Sequence, residues 1–182
     1  MVWVRSEYAG ELAVVSAWIA ALVPWNVTYA TAEGIGGILY VRFVFAEFVY
    51  FTTLEIGGRS FELLSIRRAV AQQTGEFVFL AYLTWVLGAL LVAAAVGLSI
   101  GYYLREERIE RGPVDPVRAM GALLGGAGLL LLLANYLIAT RGIPGIPIPV
   151  GTLLVLGLGG VLLTVERVDS DGDDPEDPDG AS

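Results

Sequence analysis

Two long uncharged blocks dominate the pattern of hydrophobic and polar positions along this chain. They cover residues 77–104 and 119–140, and a charged connector at 105–118 separates them. At about 1.5 Å per residue the first block is roughly 42 Å long as a helix, which exceeds a hydrocarbon core of about 30 Å. The pattern predicts a transmembrane helical hairpin, with spans at about 77–104 and 118–140 and a loop in water.

Shorter uncharged blocks lie on either side of this hairpin. Leu12–Trp25 ends at a Pro-Trp pair, and Val150–Val165 follows a proline-rich turn. With their flanks these blocks are near the minimum length for a bilayer span. They predict two more spans, at about 11–27 and 147–165. The predicted fold class is therefore a mainly α membrane protein, a four-transmembrane-helix bundle within residues 1–167.

The segment between the first two spans has a different character. Ile38–Ile56 is dense in aromatic and β-branched residues, which favour strands. A membrane helix would also pay about 2.5–3.5 kcal/mol for each charge near its centre, such as Arg42 or Glu47. The pattern favours a β-hairpin that breaks near Ala46, with a fifth span as the alternative.

Ser60–Gln73 is amphipathic and predicts a short helix. It could lie in the interfacial plane or cover the hairpin. Together the hairpin and this helix predict a small extracellular cap over residues 28–75. This cap is where we expect a specific function, since it departs most from what a simple bundle needs.

Small residues predict how the helices pack. They recur four apart in both long blocks, a spacing that allows close approach of helices in lipid. The predicted packing positions are Ala89, Ala93, Gly97, Gly101, Gly121 and Gly125. Asn135, deep in the third span, is expected to form a hydrogen bond between helices that contributes about 0.6–2 kcal/mol, with Thr84 or Ser99 as its partner.

The charge distribution predicts an orientation. Short arginine-rich loops stay in the cytoplasm, and the connector carries Arg105, Arg108, Arg111 and Arg118. Both termini are then cytoplasmic. Seven of the 19 acids lie in the last 14 positions, so residues 168–182 are expected to form a disordered acidic tail.

The composition excludes much site chemistry. The chain has no Cys and no His, and all 11 basic residues are Arg. Cysteine and histidine ligands, thiolate nucleophiles and lysine Schiff bases are therefore ruled out. We expect no enzyme activity, no metal and no cofactor. An acidic, arginine-only chain is also typical of proteins adapted to high salt.

Several stretches resemble an uncharacterised family of small multi-pass membrane proteins from halophilic archaea. The stretches that carry this resemblance are Val2-Trp-Val-Arg-Ser-Glu-Tyr8, Pro24-Trp25, Tyr102-Tyr-Leu-Arg-Glu-Glu-Arg108, Gly112-Pro-Val-Asp-Pro-Val-Arg118 and Arg141-Gly-Ile-Pro-Gly-Ile-Pro147. The resemblance covers most of residues 1–167 and implies a membrane protein adapted to salt. It implies no activity, ligand or catalytic residue.

These features predict a non-enzymatic scaffold or accessory subunit of the cell membrane. The expected environment is the lipid bilayer, the candidate partner is another membrane protein or a second copy, and no nucleic acid is expected. The alternative is a small transporter or channel subunit whose path is lined by Asn135, Thr84 and Ser99. Asn26-Val-Thr28 matches the glycosylation acceptor pattern but lies at the predicted interface, where a transferase has poor access.

Overall fold

The structure, a computed structural model, describes residues 2–32, 36–52, 60–73, 75–104, 115–141 and 145–168. The helices are α1 Ser6–Leu22, α2 Ile66–Ala71, α3 Glu76–Leu104, α4 Pro116–Arg141 and α5 Val150–Thr164. The strands are β1 Val2–Arg5, β2 Asn26–Ala32, β3 Gly36–Arg42, β4 Ala46–Phe51, β5 Phe61–Ser65, β6 Ile146–Ile148 and β7 Val165–Val168.

Five of these strands form one antiparallel sheet. Its order is β5-β4-β3-β2-β6, so the short strand β6, which follows α4, closes the edge beside β2. A separate parallel pair joins β1 to β7. β1 precedes α1 and β7 follows α5, so this pair lies at the ends of those two helices that point away from the larger sheet.

The prediction of a four-helix membrane bundle is wrong. A five-stranded antiparallel sheet forms a large part of the described chain, and within those residues only α3 and α4 are long and apolar enough to cross a membrane. The shorter apolar helices α1 and α5 have 17 and 15 residues. At about 1.5 Å per residue they reach roughly 25 Å and 22 Å, less than a hydrocarbon core of about 30 Å.

The two short blocks were misassigned because strand residues extend them in the sequence. The predicted span 11–27 runs past the end of α1 at Leu22 into the first residues of β2, and 147–165 combines residues of β6, α5 and β7. Apolar strand residues beside a helix raise the local hydropathy as much as more helix would. Val168, the first residue of the predicted acidic tail, is the last residue of β7.

The segment 38–56 contains strands rather than a fifth helix. β3 and β4 pair antiparallel through a turn at residues 43–45, close to the predicted break, but they are the middle of a five-stranded sheet and not an isolated hairpin. Residues 53–59 lie outside the described part of the chain. The predicted helix Ser60–Gln73 is half strand, because β5 occupies Phe61–Ser65 and only Ile66–Ala71 is helical.

Three of the four glycines of α4 pack against α5, and the fourth, Gly126, packs against Leu91 of α3. A Cβ on Gly121 would lie 2.9 Å from the Leu162 side chain, and one on Gly159 would lie 2.5 Å from the Gly125 main-chain nitrogen. Such spacings leave no room for a larger residue, so the two backbones approach closely here.

α3 meets α4 through a different face from the predicted one. Gly88 packs on Leu131, and Ala89 is buried, but Ala93 and Gly97 are exposed and Gly101 is only half-buried. A Cβ on Gly97 would meet nothing within 4 Å. Ala93 and Gly97, which belong to the predicted stripe, therefore make no close helix contact within the described residues.

The connector arginines at 105, 108 and 111 lie outside the described residues. Arg118 is exposed on the first turn of α4 and lies 3.8 Å from the Asp115 carboxylate. Asp115 also caps the helix, since its Oδ1 accepts a hydrogen bond of 2.9 Å from the Val117 amide, and Pro116 is the first helical residue. The cytoplasmic side of these residues stays a prediction.

Candidate functional site

The two buried charged residues of the larger sheet, Arg42 and Glu47, face the helices. Asn26 pairs with Arg42 across β2 and β3, and Arg42 pairs with Glu47 across β3 and β4, so the three lie in one row on the same face. Arg42 is 0% exposed and Glu47 is 2% exposed. Charged side chains are almost never buried this fully unless they are paired.

A tyrosine from α3 completes the pairing of these two charges. Arg42 Nη2 lies 3.4 Å from Glu47 Oε1 and donates a hydrogen bond of 3.2 Å to the Tyr82 hydroxyl. That hydroxyl donates to both Glu47 oxygens, at 3.0 Å and 2.9 Å. The sheet and α3 are therefore joined by a buried polar contact as well as by apolar packing.

The second nitrogen of the guanidinium begins a longer polar chain. Arg42 Nη1 donates to Asn26 Oδ1 at 2.7 Å and to Thr28 Oγ1 at 2.9 Å. The Asn26 amide donates in turn to Asn135 Oδ1 on α4. Asn135 Nδ2 donates to Thr152 on α5 at 2.9 Å, and Thr152 donates to the Trp25 carbonyl at 3.1 Å. One continuous set of hydrogen bonds thus connects the sheet with α3, α4 and α5.

Two buried nitrogens near this set have no partner in the described residues, Arg42 Nε and Trp25 Nε1. By contrast Trp85 Nε1 donates to the Val44 carbonyl at 2.9 Å, which fixes the β3–β4 turn on α3. The rings of Trp25 and Trp85 lie 5.7 Å apart. The Arg42 guanidinium lies 4.9 Å from the centre of the Tyr40 ring and 5.7 Å from that of the Tyr82 ring, so aromatic side chains flank the charged part of the row.

A cavity of about 210 Å³ opens beside Glu47. It lies between the inner face of the sheet, α2 and the start of α3, and residues that line it include Tyr40, Glu47, Phe51, Glu62, Gln72 and Tyr82. Glu47 and Tyr82 are buried, whereas Glu62 and Gln72 are exposed. The cavity therefore runs from a solvent-accessible mouth to a buried carboxylate.

Burial raises the pKa of two sheet residues that line this cavity, Glu47 and Tyr40. Desolvation raises the pKa of the Glu47 carboxyl, although the nearby Arg42 charge and the Tyr82 hydrogen bond both act to lower it. Desolvation also raises the pKa of the Tyr40 hydroxyl, again opposed by Arg42. The cavity thus holds a carboxylate whose ionised form is poorly solvated by the protein.

The sequence indicated part of this site. Arg42, Glu47 and Asn135 stood out as polar residues in apolar surroundings, but the partners predicted for Asn135 are wrong. Thr84 and Ser99 donate to carbonyls of their own helix, those of Leu80 and Val96. Asn26 and Thr28 are fully buried in the network, so the glycosylation pattern is not accessible in this fold.

Tyr82 and Thr152 were missed. Each is a polar residue within an uncharged helical block, and that position was the only feature of the sequence that could have indicated it. Such residues often form their hydrogen bonds within their own helix, so the position alone does not predict a site. That they meet Glu47 and Asn135 depends on how the sheet docks on the helices.

Among the described residues no group of three or more Asp or Glu side chains is placed to hold a metal ion.

The other face of the sheet is apolar and uncharged. Outward-facing positions in the described strands carry no Arg, Asp or Glu, and several bear large exposed side chains: Tyr29, Tyr50, Phe61, Leu63, Ile146 and Ile148. We call this surface the outer face. The inner face carries apolar core residues as well, among them Ile38, Val49 and Leu64, so apolar side chains lie on both faces of the sheet. A sheet with one face in water usually turns its charged residues to that face, whereas in the described strands of this sheet they lie on the inner face.

Fold and site together define an α+β protein in which an antiparallel sheet is fixed to a pair of long apolar helices by a buried polar network. A family model matches residues 2–167, and the chain belongs to that family, a family of unknown function called DUF7549. The match agrees with the expectation of an uncharacterised family, whereas the membrane character and halophilic origin expected of that family stay predictions. No curated protein matches the chain.

Proposed function

We propose that this chain is a non-enzymatic scaffold of the cell membrane, in which α3 and α4 cross the bilayer and the outer face joins two copies. The observation that carries the proposal is the distribution of apolar surface. Large apolar side chains are exposed along the helices and over the outer face, while Arg42, Glu47 and Glu62 turn inward.

The surface of the helical pair supports a place in lipid. Leu83, Leu87 and Leu90 on α3 are exposed, as are Leu129 and Leu133 on α4. Neither helix has a charged residue between Phe77 and Leu104 or between Ala119 and Thr140. Exposed leucine over such lengths is unfavourable in water and natural in hydrocarbon. The arginine-rich connector favours the cytoplasmic side for the helix ends that it joins.

The outer face supports self-association. Five strands at about 4.8 Å spacing, with a rise of about 3.3 Å per residue, give a surface of roughly 24 Å by 20 Å. Two such faces would bury on the order of 1,000 Å², the lower limit of a specific interface. An uncharged face has no electrostatic means of selecting a different protein, whereas a second copy supplies an identical apolar face in a two-fold arrangement.

Membrane extraction and light scattering test the two parts of this proposal. The chain should stay in the membrane after alkaline carbonate washing and should come out only with detergent. In a mild detergent the wild type should be dimeric. Leu63→Glu, which puts a charge on the outer face, should be monomeric and still folded. Ala71→Glu, which adds the same charge on the exposed side of α2, should stay dimeric.

Either part can fail separately. Release by carbonate would refute the membrane part. A monomeric wild type, or a dimeric Leu63→Glu variant, would refute self-association. A different protein that co-purifies with the wild type and is lost from Leu63→Glu would instead make the chain an accessory subunit.

The transporter alternative gains no support from the geometry. Thr84 and Ser99 bond within their own helix, and the Asn135 amide is used by Asn26 and Thr152. These three residues do not line a common path in the described chain.

A further inference from the structure

The cavity beside Glu47 has the charge of a cation site. Among the described residues it is lined by two carboxylates, those of Glu47 and Glu62, and by no basic side chain. Arg42, which is not a lining residue, lies 3.4 Å from Glu47, so one positive charge stands beside two negative ones. Glu47 is opposite Leu64 across β4 and β5, and Glu62 is opposite Val49, so the two glutamates are diagonal neighbours on one face. Such neighbours lie about 7–8 Å apart, enough for a small cation between their carboxylates.

Glu47 has acceptor capacity left over. A carboxylate offers about four lone-pair sites. The two oxygens of Glu47 share the hydrogen bond from one hydroxyl, that of Tyr82. Their other partner is the Arg42 guanidinium, which lies 3.4 Å from Oε1. The two terminal nitrogens of Arg42 also donate hydrogen bonds to neutral acceptors, which are Asn26, Thr28 and Tyr82. A ligand with N–H donors would complete the coordination of a carboxylate that is 2% exposed.

The remaining walls distinguish between kinds of cation. Tyr40, Phe51 and Tyr82 bring aromatic rings to the cavity, and ammonium groups are attracted to such rings. The Arg42 guanidinium already lies 4.9 Å from the Tyr40 ring and 5.7 Å from the Tyr82 ring. A volume of about 210 Å³ is far larger than a metal ion needs, and the described residues around it provide no set of three acidic ligands. Carboxylates combined with aromatic rings fit an organic cation that has a short apolar part.

We propose that this cavity binds a small organic ammonium ion, with its charged nitrogen between Glu47 and Glu62 and its carbon chain against Tyr40 and Phe51. The exposed Glu62 forms the mouth and attracts the cation, and Glu47 is its buried partner. This site faces the helices, on the opposite side of the sheet from the outer face, so it is independent of self-association.

Calorimetric titration of the full chain in detergent micelles tests the proposal. The probe is propylammonium chloride at pH 7, and the comparators at equal ionic strength are potassium chloride and propan-1-ol. We expect saturable binding of propylammonium at one site per chain, with none for either comparator. Glu62→Gln should weaken binding about tenfold, as expected for the loss of one charge partner worth about 1.4 kcal/mol. Glu76→Gln, an exposed glutamate outside the cavity, should bind as the wild type does.

Three results would overturn the proposal: no saturable propylammonium binding, equal binding of propanol or potassium, or equal weakening by Glu62→Gln and Glu76→Gln. Glu47→Gln should abolish binding, but it alters a buried pair. Glu62→Gln keeps the test decisive if the Glu47 variant does not fold. Light scattering on Glu62→Gln should still show the oligomeric state of the wild type, which separates this site from the scaffold proposal.

Discussion

Arg42 lies directly opposite Glu47 across strands β3 and β4, with 3.4 Å between Nη2 and Oε1 and almost no solvent at either side chain. Two residues that are five apart in sequence are thereby held as a buried ion pair, against which Tyr82 packs from α3.

Breaking this pair should be costly. Arg42→Met leaves Glu47 buried without a positive partner, and the loss of one member of such a pair typically costs about 3–5 kcal/mol of unfolding free energy. Thermal unfolding in detergent, followed through the fluorescence of the buried Trp25 and Trp85, measures this loss. Arg118→Ala removes the exposed arginine near Asp115 and should change stability by about 0–1 kcal/mol. Similar losses from the two variants would contradict the importance of the buried pair.

Stability should depend on pH through Glu47. Its pKa is raised above the usual 4.5 in the folded chain, so between 4.5 and the folded value the native state holds a proton that the unfolded state has released. Stability therefore falls as pH rises through this window and levels off above it. Melting temperatures from pH 4 to pH 9 should show that fall in the wild type. Glu47→Gln, which cannot titrate, should lack it, and an identical profile in both proteins would exclude Glu47 as the cause.

The contact between α4 and α5 should tolerate no side chain at Gly159. An added Cβ would lie 2.5 Å from the Gly125 nitrogen, a main-chain atom that cannot rotate away. Gly159→Ala should therefore lose about 1–3 kcal/mol. Gly160→Ala is the matched control, because its Cβ would meet nothing within 4 Å and alanine favours helix by up to about 1 kcal/mol. Chemical unfolding in micelles compares the two, and equal stabilities would mean that the helices are not in this contact.

Much about the individual helices and strands could be predicted from the sequence. The long blocks at 77–104 and 119–140 have no charge to interrupt a helix, and α3 and α4 occupy them almost to the residue. The cap at the start of α4 is also local in sequence, since Asp115 accepts a hydrogen bond from the Val117 amide. The dense aromatic and β-branched pattern after Ile38 also indicated strands, which are β3 and β4.

The sheet and the site depended on tertiary structure. β6 is only three residues long, and its place beside β2 is set by contacts more than 100 residues apart in the chain. Periodicity says which residues share a face, but it does not say that Arg42 and Glu47 face a helix while Tyr29 and Phe61 face outward. The sequence by itself determined where the chain is apolar. Only the packing of the sheet on the helices decided which polar groups are buried together, because buried charges are stable only where partners from distant segments reach them.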